Sequence, residues 1–397
     1  MKQRTLKTLF LSSFLLFSLT GCWSSKEIEE LGFVAGTAMD LKKEDPFKGD
    51  MEGPNEGSSK QISLTLTNQF FTAQPNSQNT QKGGSQKSYQ NITESGHSVI
   101  SVLRKMVLKN EKRSFGQHSK VIVISADLAR KVNLQKLLDF FLREVEIRQS
   151  SYIFIAKNNA QKTLETKESS VIPAYHLFQI TKSQERTTKI LQSLPMAKLQ
   201  GKLHSGTSFL LQNLVTEKGE VKFSGAAVIK GKSRKLVGFI NEKDIEGLNW
   251  LTGKAKGGLV NSIDKETGQP ITYEIKTLKS KITPHMVKNQ ISFDVKIESQ
   301  GTLAEHWDRS GKPSDEKFLK KAEKNSEEEV EHLIKNVLVK TQKKYKIDVV
   351  EFGKEFQIKY PRTWEKIKKD WEQTFSNVPI HYSVDIKIID YGTLIGD

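Results

Sequence analysis

Apolar and polar positions alternate along this chain in two periods, and the switches between them mark its elements. Ile62, Leu64 and Leu66 alternate with Ser63, Thr65 and Thr67, the period of a half-buried strand. An apolar segment at 31–39 precedes it, and a Gly-, Pro-, Asp- and Lys-rich stretch over 41–60 reads as a loop. Val99, Val102, Leu103, Met106 and Val107 fall on one helical face, with Ser95 or His97 near its start. Leu134, Leu137, Leu138, Phe141, Leu142 and Val145 mark a second amphipathic helix. Short apolar runs at 121–124 and 152–156 read as strands, and Asn158 or Asn159 as the cap of a helix through Leu164. Pro173 opens a helical stretch to about Leu194, stopped by Pro195.

Further along, 223–230 and 236–240 flank the turn Gly231 to Arg234 and read as a β-hairpin. Asn241 then caps a short helix ending near Trp250. Ile291, Phe293, Val295 and Ile297 alternate with polar residues, as do Ile380, Tyr382, Val384, Ile386 and Ile388. Strands with one apolar and one polar face belong to an antiparallel sheet covered on one side. The cover is a helix carrying Val330, Leu333, Ile334, Val337 and Leu338, with Ser326 and Glu329 as its capping box. A further helix near 363–375 carries Trp364 and Trp371. The expected class is α+β, with mixed or antiparallel sheets covered by helices.

The first residues change this picture. Lys2, Arg4 and Lys7 precede an apolar run over 9–19, the layout of a secretory signal. The run is about half of what a bilayer span needs. Leu19-Thr20-Gly21-Cys22 closes it, and Cys22 is the only cysteine of the 397 residues. A thiol at that point can take a diacylglyceryl group, and two acyl chains anchor stably where one is marginal. With no second cysteine, an intramolecular disulfide is excluded. The expected organisation is a lipoprotein signal at 1–21 followed by three domains. These cover 22–200 with a flexible loop at 72–90, 201–262 with the hairpin, and 263–397 with the antiparallel sheet.

Net charge is +16, of which the three signal cations leave +13 on the mature chain. The lysines are scattered, which suits a solvated surface first and anionic headgroups or wall polymers second. An exported chain without a recognition motif is a poor nucleic-acid binder.

Catalytic chemistry is sparse. Gly225 to Gly231-Lys232-Ser233 has five residues between its glycines where a phosphate loop needs four, and strand formers fill the loop. Glu329-Val-Glu-His332 and Glu94-Ser-Gly-His97 repeat one spacing, but no partner set for a metal accompanies either. No Gly-x-Ser-x-Gly elbow occurs. Trp250, Trp364 and Trp371 sit on apolar faces as core residues rather than as a ligand platform. No catalytic residue, metal or cofactor is expected.

Several segments carry a resemblance. ELGFVAGTAMD (30–40), HSKVIVISADLA (118–129), SYIFIAKNNA (151–160), FSGAAVIKGKSRKLVGFINEKDIEGLNWLTGK (223–254) and HYSVDIKIIDYG (381–392) resemble the Ger(x)C family of spore-germination lipoproteins. The resemblance implies a fold of three α+β domains and the role of C subunit in a nutrient germinant receptor. That subunit would be lipid-anchored through Cys22 on the outer face of the inner spore membrane, beside two integral-membrane subunits. A solute-binding lipoprotein serving a transporter is the alternative, and it would want a two-lobed ligand cleft.

Overall fold

The computed structural model describes residues 30–42, 62–72, 87–166, 168, 170–307 and 315–392. Its larger sheet has the order β3-β2-β1-β5-β6-β7-β8-β9, with β4 alongside the start of β1. These strands are β1 (Leu31–Leu41), β2 (Leu64–Phe71), β3 (Tyr89–Gly96), β4 (Arg113–Phe115), β5 (Val121–Ser125), β6 (Tyr152–Ala156), β7 (Phe209–Glu217), β8 (Glu220–Lys230) and β9 (Lys235–Ile240). Strands β1, β5, β6 and β7 run parallel, with antiparallel pairs added at both sides. The apolar runs of β5 and β6 follow from that position, because a parallel strand is covered on both faces.

On one face pack α1 (Val99–Met106), α2 (Ala126–Lys131), α3 (Leu134–Arg143) and α5 (Met196–Ser205), around Met39, Leu66, Ile122 and Leu138. The opposite face of β1, β5 and β6 receives α4 (Pro173–Ile180) over Ala35, Val123 and Phe154.

The second sheet has the order β10-β11-β12-β13, formed by β10 (Leu259–Ile263), β11 (Pro270–Val287), β12 (Gln290–His306) and β13 (Ile380–Asp390). Its covered face meets α6 (Glu242–Thr252), α7 (Glu316–Val339), α8 (Phe352–Lys359), α9 (Pro361–Ile367) and α10 (Trp371–Phe375). This core also takes in Leu210, Ala226, Val228 and Ile240 from β7, β8 and β9, so it joins the two sheets. The expected boundaries near 200 and 262 fall inside α5 and β10, and the hairpin at 220–240 extends the larger sheet.

The α+β class with mixed, helix-covered sheets is the observed architecture. Several details differ from expectation. Strand β13 runs parallel to β12, so the second sheet is mixed rather than antiparallel. The long passage from β12 through α7 to α10 is the crossover that a parallel pair requires. Helix α7 starts ten residues before Ser326, capped by Asp315, whose carboxylate accepts from Lys317 N at 2.9 Å. Ser326 is buried in the helix and donates back to Ala322 O at 2.9 Å. The stretch after Pro173 leaves the helix after Ile180. Long-range side chains then hold it: Asn249 donates to Thr188 O and Ile190 O, and Gln212 accepts from Leu191 N. Ser98, not Ser95 or His97, caps α1. The single helix near 363–375 is broken into α9 and α10 by a 3-10 turn. Of the expected loop at 72–90, residues 73–86 lie outside the described residues, and Tyr89 and Gln90 belong to β3.

Candidate functional site

Cys22 with Leu19, Thr20 and Gly21 lies outside the described residues. Gly225 sits within β8 at φ 71°, where a Cβ would lie 2.0 Å from Ile240 O. That glycine is therefore a tight strand position, and Lys232 and Ser233 form the β8–β9 turn. Glu94 pairs with Lys109, while His97 and His332 are exposed. Among the described residues no group of His, Cys, Asp or Glu is placed to hold a metal ion. Trp250 and Trp371 are buried, whereas Trp364 is half-buried and lines a cleft.

That cleft, of about 720 Å³, lies where the two sheets' helices meet. Lys198, Lys202, Ser205 and Ser208 line it from α5 and the chain after it, and Lys232 joins them. Lys354, Trp364, Lys368, Lys369 and Glu372 face them from α8, α9, α10 and the turn between the last two. Its floor is organised by Asp348, an acidic residue in the apolar run Ile347 to Val350. The Asp348 carboxylate accepts from Phe352 N at 3.1 Å, Gly353 N at 2.7 Å and Trp371 Nε1 at 2.8 Å. It thus satisfies the orphan amides of α8 in place of the N-cap residue. Burial pushes its pKa up, and those donors oppose the rise. Gly353 is required here, since a Cβ would lie 2.5 Å from Trp371 Nε1.

Glu351, in the N-cap position, has φ 72° and makes no cap bond. Its carboxylate reaches across the cleft to Lys202 Nζ instead. Burial works against its charge, but Lys202, Lys254 and Lys354 hold its pKa below the usual value. Lys254 is pushed down, by burial first and then by Lys202, Lys354 and Lys198, with only Glu351 opposing. Six lysines on the lining face four carboxylates, of which Glu365 pairs with Lys368 and Glu372 accepts from Ser208, so the cleft carries a surplus of positive charge. The surplus of ammonium groups suits the arrangement to holding an acidic group. Sequence reading missed this site because its residues come from distant segments. An isolated acid within an apolar run, Asp348, is the local signal that could have marked it.

A second, more apolar groove of about 590 Å³ lies between α1, α3 and the strand β4. Ile100, Leu103, Val107, Phe140 and Ile147 line it, together with Arg104 and Arg113. Val107 and Val145, both assigned by periodicity to buried helical faces, are 59% and 88% exposed.

Known proteins match the chain along nearly all of this fold. Residues 24–215 match the spore germination protein N-terminal domain, and residues 224–392 match the family described as spore germination B3/GerAC like, C-terminal. The two matches meet inside the β7–β8 hairpin. Spore germination protein YndF of Bacillus subtilis is 39% identical over 99% of this chain and 98% of its own length. Spore germination protein B3 of the same organism is 30% identical over 96% of each chain. The crystal structure of the GerBC protein superimposes with a TM-score of 0.60 at 30% identity, covering 83% of this chain and 95% of that one.

Proposed function

The chain belongs to the GerAC-like family of spore germination proteins, and on that premise we propose that it is a lipid-anchored, non-catalytic subunit of a nutrient germinant receptor. The observation that carries this reading is that both family matches run in order over 24–392, on a fold shared with the GerBC protein. Among the described residues no helix is long and apolar enough to cross a membrane, which fits attachment through Cys22. The site chemistry supports binding: the cleft offers cations and an indole. The subunit would sit on the outer face of the inner spore membrane and dock on two integral-membrane subunits. Tethering raises effective concentration, so modest interfaces suffice.

Cys22→Ala should leave uncleaved precursor or release the protein from spore membranes, and normal processing and retention would contradict the anchor. A pull-down from spore membranes should bring down two integral-membrane proteins, and recovery of neither would contradict the receptor assignment. The solute-carrier alternative finds a cleft, but one core joins the two sheets, which opposes hinged closure around a ligand. Thermal stabilisation of the protein by millimolar nutrient would favour that alternative.

A further inference from the structure

Strands β1, β4, β5 and β6 run parallel, so the segments leading into them emerge at one edge of the larger sheet. Three of those segments matter. The described chain enters β1 there, with Leu31 opposite Arg113 and Gly32 opposite Ser114. The turn after α1 leads into β4 and exposes Val107 and, at 88%, Leu108. The passage from α3 to β6 exposes Val145, also at 88%. The last two are tied together by Arg113, which donates to Glu146 at 3.1 Å.

The apolar side chains do not stand alone. Arg104, Lys105, Lys109, Lys112 and Arg113 flank Val107 and Leu108, against Glu111 within the same stretch. Arg148 and Lys182 crowd Lys120 at this edge; its ammonium pKa is pushed down first by burial and then by those two cations. Glu144 and Glu146 flank Val145, with Glu146 held by Arg113, so the cationic collar is that of Val107 and Leu108. Exposed aliphatic side chains beside a surplus of cations are what a peripheral membrane surface needs. Apolar groups enter the acyl boundary while Lys and Arg meet anionic headgroups.

We propose that this edge is a membrane-contact face, with Val107, Leu108 and Val145 entering the interface of an anionic bilayer. The inference rests on the reading of Cys22 as the anchor. Eight residues lie between Cys22 and Leu31, so an extended tether reaches at most roughly 30 Å. The entry edge is therefore the part of the molecule held nearest the lipid, and a bilayer is the occupant that the tether supplies. The protein would lie against the membrane in a fixed orientation rather than swing from its lipid.

The test uses the lipidated protein with vesicles of phosphatidylcholine, with and without phosphatidylglycerol. Cys22 is the only natural cysteine, so Leu108→Cys provides one free thiol for a polarity-sensitive dye. Val145→Cys gives an independent reading, and Val287→Cys, exposed at the turn between β11 and β12, serves as the control. Flotation reports the anchor; dye emission reports the face. With phosphatidylglycerol the dye at 108 and 145 should shift to the blue while the dye at 287 stays aqueous. Adding Lys105→Glu, Lys109→Glu and Lys112→Glu should abolish the shift without preventing flotation. Flotation with an aqueous dye at 108 and 145 overturns the contact face and leaves the anchor standing. A blue shift without flotation keeps the face and discards the anchor, and loss of both overturns both. A shift that occurs only in membranes containing partner subunits would assign the face to protein and overturn the lipid reading.

Discussion

The floor of the basic cleft and the entry edge of the larger sheet treat large apolar side chains in opposite ways. At the cleft floor, Phe293, Phe352, Phe356, Trp371 and Phe375 are buried and stacked, with Phe356 and Trp371 at 5.7 Å and Phe293 edge-on to Phe352 at 4.9 Å. The one polar atom of Trp371, its indole N–H, is answered by a buried carboxylate. At the entry edge, Val107 and Leu108 project into solvent among arginines and lysines, and Val145 projects between Glu144 and Glu146. Burial of one set stabilises the fold; exposure of the other costs little stability and leaves surface free for contact. Residues that hold the fold and residues that meet another phase are therefore separable by mutation.

The largest effect belongs to Trp371→Ala. It removes a buried indole and strips Asp348 of a donor, so chemical denaturation should show a loss of about 3–5 kcal/mol. A loss below 1 kcal/mol would mean the aromatic floor does not hold this region together. Gly247→Ala comes next. Helix α6 crosses α7 so closely that a Cβ there would lie 2.3 Å from Leu333 O. Relieving that clash means separating helices in a filled core, at about 1–3 kcal/mol, which outweighs the better helix propensity of alanine.

Glu351 gives a smaller, pH-dependent effect. Its folded pKa is lowered, so its contribution is present above the unfolded value of 4.5 and is lost as pH falls through the folded value. Solvent screening of this part-exposed pair holds the effect to about 1 kcal/mol or less. Glu351→Gln should therefore destabilise at pH 7, with a penalty that shrinks as pH falls below 4.5, read from unfolding midpoints. A penalty that stays constant as pH falls would assign it to packing. Smallest of all are Leu108→Ser and Val145→Ser, expected within about ±0.5 kcal/mol of the parent. A larger loss would show that these side chains support the fold and erase the contrast between the two regions.

Periodicity found elements wherever one face of a segment is buried. The alternation in β12 and β13, the capping of α6 by Asn241, with Asp244 completing its capping box, and the apolar runs of β5 and β6 all follow from local residues. It failed where tertiary partners replace local ones. The segment after Ile180 has helical-looking spacing, yet its backbone bonds go to Asn249 and Gln212. Val107 and Val145 fit a helical stripe, but they lie just past α1 and α3, and the chain turns them outward. The cleft was invisible for the same reason: Lys202, Asp348, Glu351 and Trp371 meet only when the two sheets share a core. The resemblance to germination lipoproteins, by contrast, was legible in contiguous segments, because it rests on strings of residues rather than on assembly.

The central claim is that this chain serves a germinant receptor by binding and not by chemistry. The most direct measurement is the germination of spores that lack it, in a strain without redundant receptors. The account predicts that the response to one set of nutrients is abolished, while triggers that bypass receptors still work. An unchanged nutrient response in those spores would contradict it.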